Sequence, residues 1–234
     1  MNIVNSLKNA NKTVTNKTVI IKKEFGSLLR ELKYALYLSV HPFKGFWEIK
    51  HEGMGSLRTA LILLAAAIIV SIASNFYSGY LFNTSGGLNY NFLKTIGTCL
   101  VLYFFWCISN WCLTCFSEGE GTFKDICTAT GYALVPYIII QFILIFLSNF
   151  FILEEAVFYN MINTLSLIWT GFLLFTGMLV THQYSLTRAI VVCIFTVLGM
   201  AAMAYLVLLL FNLLQQVFIF ITVLVDELIM RLTY

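Results

Sequence analysis

Five long runs of apolar residues decide what this chain can fold into. They lie near residues 57–82, 93–117, 125–150, 157–180 and 188–213. Each is long enough to cross about 30 Å of hydrocarbon. None has an Asp, Glu, Lys or Arg in its middle. Inside a bilayer a backbone must satisfy its own hydrogen bonds, which confines such runs to helices or closed barrels. Their length selects helices. The chain is only 11% charged, against about 25% in a typical soluble domain. The expected fold is all-α: a polytopic membrane bundle of five transmembrane helices, with N-terminal amphipathic interfacial helices and a C-terminal apolar helix.

The charges divide the chain. Up to Arg58 there are ten Lys or Arg and four Glu; from Thr59 onward there are four Lys or Arg and seven acidic residues. This predicts a cytoplasmic basic front (1–56), a five-span membrane domain (57–216) and a tail (217–234). Lys and Arg favour the cytoplasmic side of a membrane. With the N-terminus inside, that side holds the ten front charges plus Lys124 and Arg188, and the outer side holds Lys94 and Arg231. The C-terminus is then expected outside the cell membrane. No cleavable leader is evident, so the first span is read as an uncleaved anchor.

The front is patterned. After an Asn- and Lys-rich start, the stretch 18–40 reads as a helix. Ile21, Phe25, Leu28, Leu29, Leu32, Ala35 and Leu36 share one stripe, and Lys22, Lys23, Arg30 and Lys33 lie opposite. Pro42 ends it. In the following HPFKGFWEIK, Phe43, Phe46 and Trp47 stand at helical spacing beside Lys44 and Lys50, a composition that suits the headgroup layer. Both segments are expected to dock on lipid or on a partner. Ser56 is a candidate N-cap for the first span. In the tail, Val217 to Val225 is too short an apolar run to span, and it reads as a separate sixth helix.

Several motifs invite chemical readings. Cys112 and Cys115 form a CxxC pair near the C-terminal end of the second span, where the helix dipole disfavours a thiolate. A zinc site needs further ligands; Cys107, Cys127 and His182 are the nearest candidates, and none makes a second close pair. The six cysteines are read as packing residues. Glu118, Glu120 and Asp125 fall in a short hairpin, where Thr122 and Asp125 fit a capping box. His41, His51 and His182 stand at expected cytoplasmic boundaries, suited to interfacial hydrogen bonding. Asn75, Asn110, Gln141, Asn163 and Asn212 are expected to join helices through hydrogen bonds. The pairs Ala67/Ser71, Ser74/Ser78 and Ala129/Ala133 let helices approach closely. Nothing resembles a phosphate-cradling loop or a catalytic set, and intramembrane charges of the kind that ion-coupled carriers use are absent. No enzyme activity, cofactor, metal or nucleic-acid partner is expected.

The stretch EGEGTFKDICTATGYALVP resembles the core signature of the Yip family, membrane proteins named for interaction with Rab-type GTPases. The signature pairs a glycine-bearing loop, here Gly119 and Gly121, with a helix reading G-Y-x-L-x-P, here Gly131, Tyr132, Leu134 and Pro136. HPFKGFWEI resembles the segment before the first span of bacterial members. The likeness covers roughly residues 40–215. In physical terms, Gly131 is expected to let a neighbouring helix approach, Tyr132 can bridge helices with its hydroxyl, and Pro136 is expected to kink the third span. The acidic-aromatic motif through which eukaryotic members are thought to contact GTPases is absent from residues 1–56. Bacterial members are often encoded beside carbohydrate ABC transporters. The resemblance therefore implies an accessory or scaffold protein acting with membrane lipids and the permease subunits of a sugar ABC transporter. The alternatives are a bilayer-shaping protein working directly on lipid and a lipid-handling carrier.

Overall fold

The computed structural model describes residues 26–28, 30–79 and 91–233. Every long element among them is a helix. The front forms α1 (30–40) and α2 (Pro42–His51). The spans are α3 (Leu57–Tyr77), α4 (Phe92–Ser117), α5 with α6 (Phe123–Ala133 and Val135–Leu147), α7 (Ala156–His182) and α8 (Leu186–Thr233). Five of these units are long and apolar enough to cross a membrane. The all-α polytopic bundle expected from the sequence is the observed architecture.

Local chemistry sets the boundaries. Ser56 caps α3 by accepting from the Thr59 amide at 3.3 Å. Thr122 and Asp125 form the reciprocal capping box that opens α5. Pro136 lacks an amide hydrogen, so the third span breaks at Leu134 and restarts with Pro136 in the first turn of α6. Glu118 and Gln183 take left-handed conformations (φ 52° and 55°) that end α4 and α7.

The spans join through small residues and buried amides. A Cβ on Gly131 would lie 2.6 Å from the Ala60 Cβ and 2.8 Å from its Cα, so α5 and α3 touch nearly backbone to backbone. Asn110 meets His182 at 2.8 Å, linking α4 to α7. Gln141 donates to Asn163, linking α6 to α7. The Ser109 hydroxyl donates to the Thr196 carbonyl at 2.7 Å, holding α8 on α4.

The structure departs from expectation at both ends. The front does not lie flat. The Trp169 indole donates to the Ser39 carbonyl at 3.2 Å, Phe46 packs on Gly177, and the Lys50 ammonium donates to the Thr181 carbonyl at 2.7 Å. The front therefore descends along α7 as a helical hairpin. Trp169 is the fourteenth of the 27 residues of α7, so the tip reaches the midpoint of a span. His41 sits at that tip. The tail is not a separate sixth helix either: α8 runs unbroken for 48 residues. Gln215 and Gln216 interrupt the apolar run, but glutamine is a good helix former, and no Pro or Gly follows Gly199.

Candidate functional site

Several of the residues singled out in the sequence gather at one end of the bundle, where the hairpin seats against the family signature. In the hairpin, Gly45 lets α1 and α2 close up: a Cβ there would stand 2.9 Å from the Leu38 Cγ. The Tyr34 hydroxyl donates to Glu48 Oε2 at 2.7 Å and lies 2.9 Å from the Gly45 carbonyl. Burial, then the Glu48 contact, hold that hydroxyl above its ordinary pKa, so it stays a donor. The face turned to the spans is Tyr34, Ala35 and Leu38, joined by Phe46, all packed on Ala60, Leu63, Ala133 and Leu173.

This seat corrects part of the expected docking stripe. Phe46 is 1% exposed. It fills the space left by the missing side chain of Gly177 and is unavailable to a partner or to headgroups. Leu32 is partly buried against the same core, and Leu28 is half-buried. Leu36, Phe43 and Trp47 point outward, with Val40 beside them. Ile21, Phe25 and Leu29 lie outside the described residues. The stripe identified an apolar helix face but not how its residues divide between the spans and the outside, because tertiary contacts set that division.

Charged and polar groups pin the hairpin at its open end. The Ser56 and Thr59 hydroxyls both donate to Glu31 Oε2 at 2.5 Å. Tyr132 lies directly beneath them. Its ring is fully buried, and a Cβ on Gly55 would come within 3.2 Å of its hydroxyl. Among the described residues no hydrogen bond of good geometry reaches that hydroxyl, although the Ser56 backbone and the Thr59 side chain stand close to it. Tyr132 joins helices through the packing of its buried ring.

The glycine-bearing loop closes the same end. The Gly121 amide donates to His182 Nδ1 at 3.3 Å, which leaves Nε2 to donate to the Asn110 carbonyl oxygen. Cβ atoms on Gly119 and Gly121 would stand 2.6 Å and 2.9 Å from His182 Nδ1. The loop needs both glycines to lie on the buried imidazole. His182 is 2% exposed, so it is an internal linker rather than an interfacial residue. Tyr184 stacks on it at 5.0 Å and its hydroxyl meets Ser117. Glu120 reaches Lys50 at 3.6 Å and Glu118 reaches Arg188 at 3.9 Å. The loop carboxylates therefore tie down α2 and α8. Neither the Lys50–Glu120 pair nor the His182–Asn110 pair had a sequence signal, since both join residues more than 65 positions apart.

Cys112 and Cys115 are exposed on α4, whereas Cys107 and Cys127 are buried in a separate core cluster. Among the described residues, no three His, Cys, Asp or Glu side chains converge as a metal site would require.

These features define a polytopic, all-helical membrane protein whose loop-end residues are built for packing. The family described as Yip1 domain matches residues 36–209, most of the chain, and the chain belongs to that family. Membership of this membrane-domain family points to a non-enzymatic protein. No curated protein and no solved structure matches the chain.

Proposed function

We propose that the protein is a non-enzymatic membrane scaffold that holds another integral membrane protein through the free length of α8. The observation that carries this reading is the exposure of that helix. From Ala204 to Leu232 every residue is exposed. The antiparallel contacts of Ser117 with Arg188 and Ser109 with Thr196 put Leu213 level with Phe92, the start of α4. The 20 residues from there to Thr233 continue past the bundle by about 30 Å. They include VFIFITVLV, and an apolar side chain left in water forgoes about 1.5–3 kcal/mol. A second protein covering this helix would recover that energy. The resemblance to proteins encoded beside carbohydrate transporters makes a permease subunit the proposed partner. Removing residues 213–234 should leave the five spans inserted and abolish co-purification with the permease from mild detergent. A truncated protein that retains its partner rejects the reading.

The hairpin supports a second reading, in which the protein shapes the bilayer. A helical wedge that reaches mid-span from one side, with Leu36, Val40, Phe43 and Trp47 outward, adds volume to one leaflet only. Purified protein should then tubulate or shrink vesicles in proportion to its density. Unchanged vesicle size at high density would remove this alternative.

A further inference from the structure

Between α3 and α4 lies a groove that the scaffold reading does not use. Its inner part is a cavity of about 390 Å³ lined by Leu64, Ala67, Leu102, Tyr103, Trp106 and Met200, among others. That volume lies within the usual range for small-molecule sites, and the wall is almost wholly apolar. Toward the end of the bundle opposite the hairpin, it continues into a space of about 440 Å³ lined by Asn75, Asn91, Lys94, Thr95 and Thr98. Ser71, Cys99 and Tyr137 line both parts, so the two form one groove. The Ser71 and Tyr137 hydroxyls, 2.9 Å apart, mark where its character changes.

A ligand must match both halves. A water-soluble solute would leave the apolar half unfilled. A bare hydrocarbon would leave the Lys94 ammonium at the mouth facing an apolar chain, and a charge facing hydrocarbon is costly. The complement is an amphiphile. The sign of its head follows from Lys94, the cation lining the mouth, with which no carboxylate among the described residues forms an ion pair. We propose that the groove is a binding site for one anionic phospholipid. One acyl chain lies between α3 and α4, and the phosphate sits by Lys94, Asn75 and Thr98.

The test uses the full chain, delipidated in detergent and titrated separately with phosphatidylglycerol and phosphatidylcholine, with retained lipid counted by native mass spectrometry. Wild type should keep one phosphatidylglycerol and prefer it over phosphatidylcholine by about fivefold, the effect of one lysine near an anionic headgroup. Lys94→Gln should bring the two lipids close to parity without lowering the melting temperature. Cys99→Phe, which adds a ring where the two halves meet, should reduce retention of both. Should Cys99→Phe fail to fold, phosphatidylglycerol with a photoreactive acyl chain decides the matter in wild type, by labelling Leu64 or Leu102. Equal retention of the two lipids by wild type, an unchanged preference in Lys94→Gln, or labelling confined to the outer face of α8 would each overturn the proposal.

Discussion

At Gly131 the third span meets the first, and a single hydrogen stands where any other residue would carry a carbon. Gly131→Ala puts a methyl group 2.6 Å from the Ala60 Cβ and 2.8 Å from its backbone. Neither helix can yield by turning a flexible side chain. Overpacking of this kind costs about 1–3 kcal/mol, so the melting temperature of the purified protein should fall. Gly97 is the control: it lies within α4 with open space around it. Gly97→Ala should stabilise by about 0.5–1 kcal/mol, the ordinary helix preference for alanine over glycine. Tyr132 gives a prediction of opposite sign. Among the described residues its buried hydroxyl makes no hydrogen bond of good geometry, and removing such a group relieves a desolvation cost instead of breaking a bond. Tyr132→Phe should be at least as stable as wild type. A marked loss of stability would show that the hydroxyl does bridge helices.

At the scale of elements, the hairpin gives the sharpest prediction. If α1 and α2 descend to the level of Trp169, a cysteine in place of Val40, 70% exposed on the protein surface, faces lipid. It should resist a water-soluble maleimide from either side of the membrane while reacting with a lipid-soluble one. Rapid labelling from the aqueous side would put the front helices back in the interface, as the sequence suggested. The spans themselves were legible because a run of about 20 uncharged residues has few alternatives. The break at Pro136 and the caps at Ser56 and Thr122 were legible because their chemistry is local. The hairpin was not, because its depth rests on contacts such as Ser39 with Trp169, 130 positions apart. The stripe of Leu32 and Leu36 was correctly read as apolar, yet one of the two faces the core and the other faces outward. The length of α8 was not legible for the opposite reason: the short apolar run Val217–Val225 suggests a separate helix, yet nothing before it, Gln215 and Gln216 included, breaks the helix.

Five helices among the described residues are long and apolar enough to cross a membrane, and we propose that the ten basic residues up to Arg58, together with Lys124 and Arg188, set their orientation. Reporters fused to the two ends should therefore lie on opposite sides of the membrane, the front one in the cytoplasm. Two reporters on the same side would require an even number of crossings. That geometry leaves the second half of α8 as an apolar surface without cover from the described chain, and the scaffold reading stands on it. The most direct test places a photoreactive amino acid at Leu214 and Phe218, one turn apart on the projecting length, in the intact membrane. The account predicts cross-links from both positions to a permease, lost when the permease is absent and unaffected by Lys94→Gln at the lipid groove. Cross-links only to lipid, or none at either position, would contradict it.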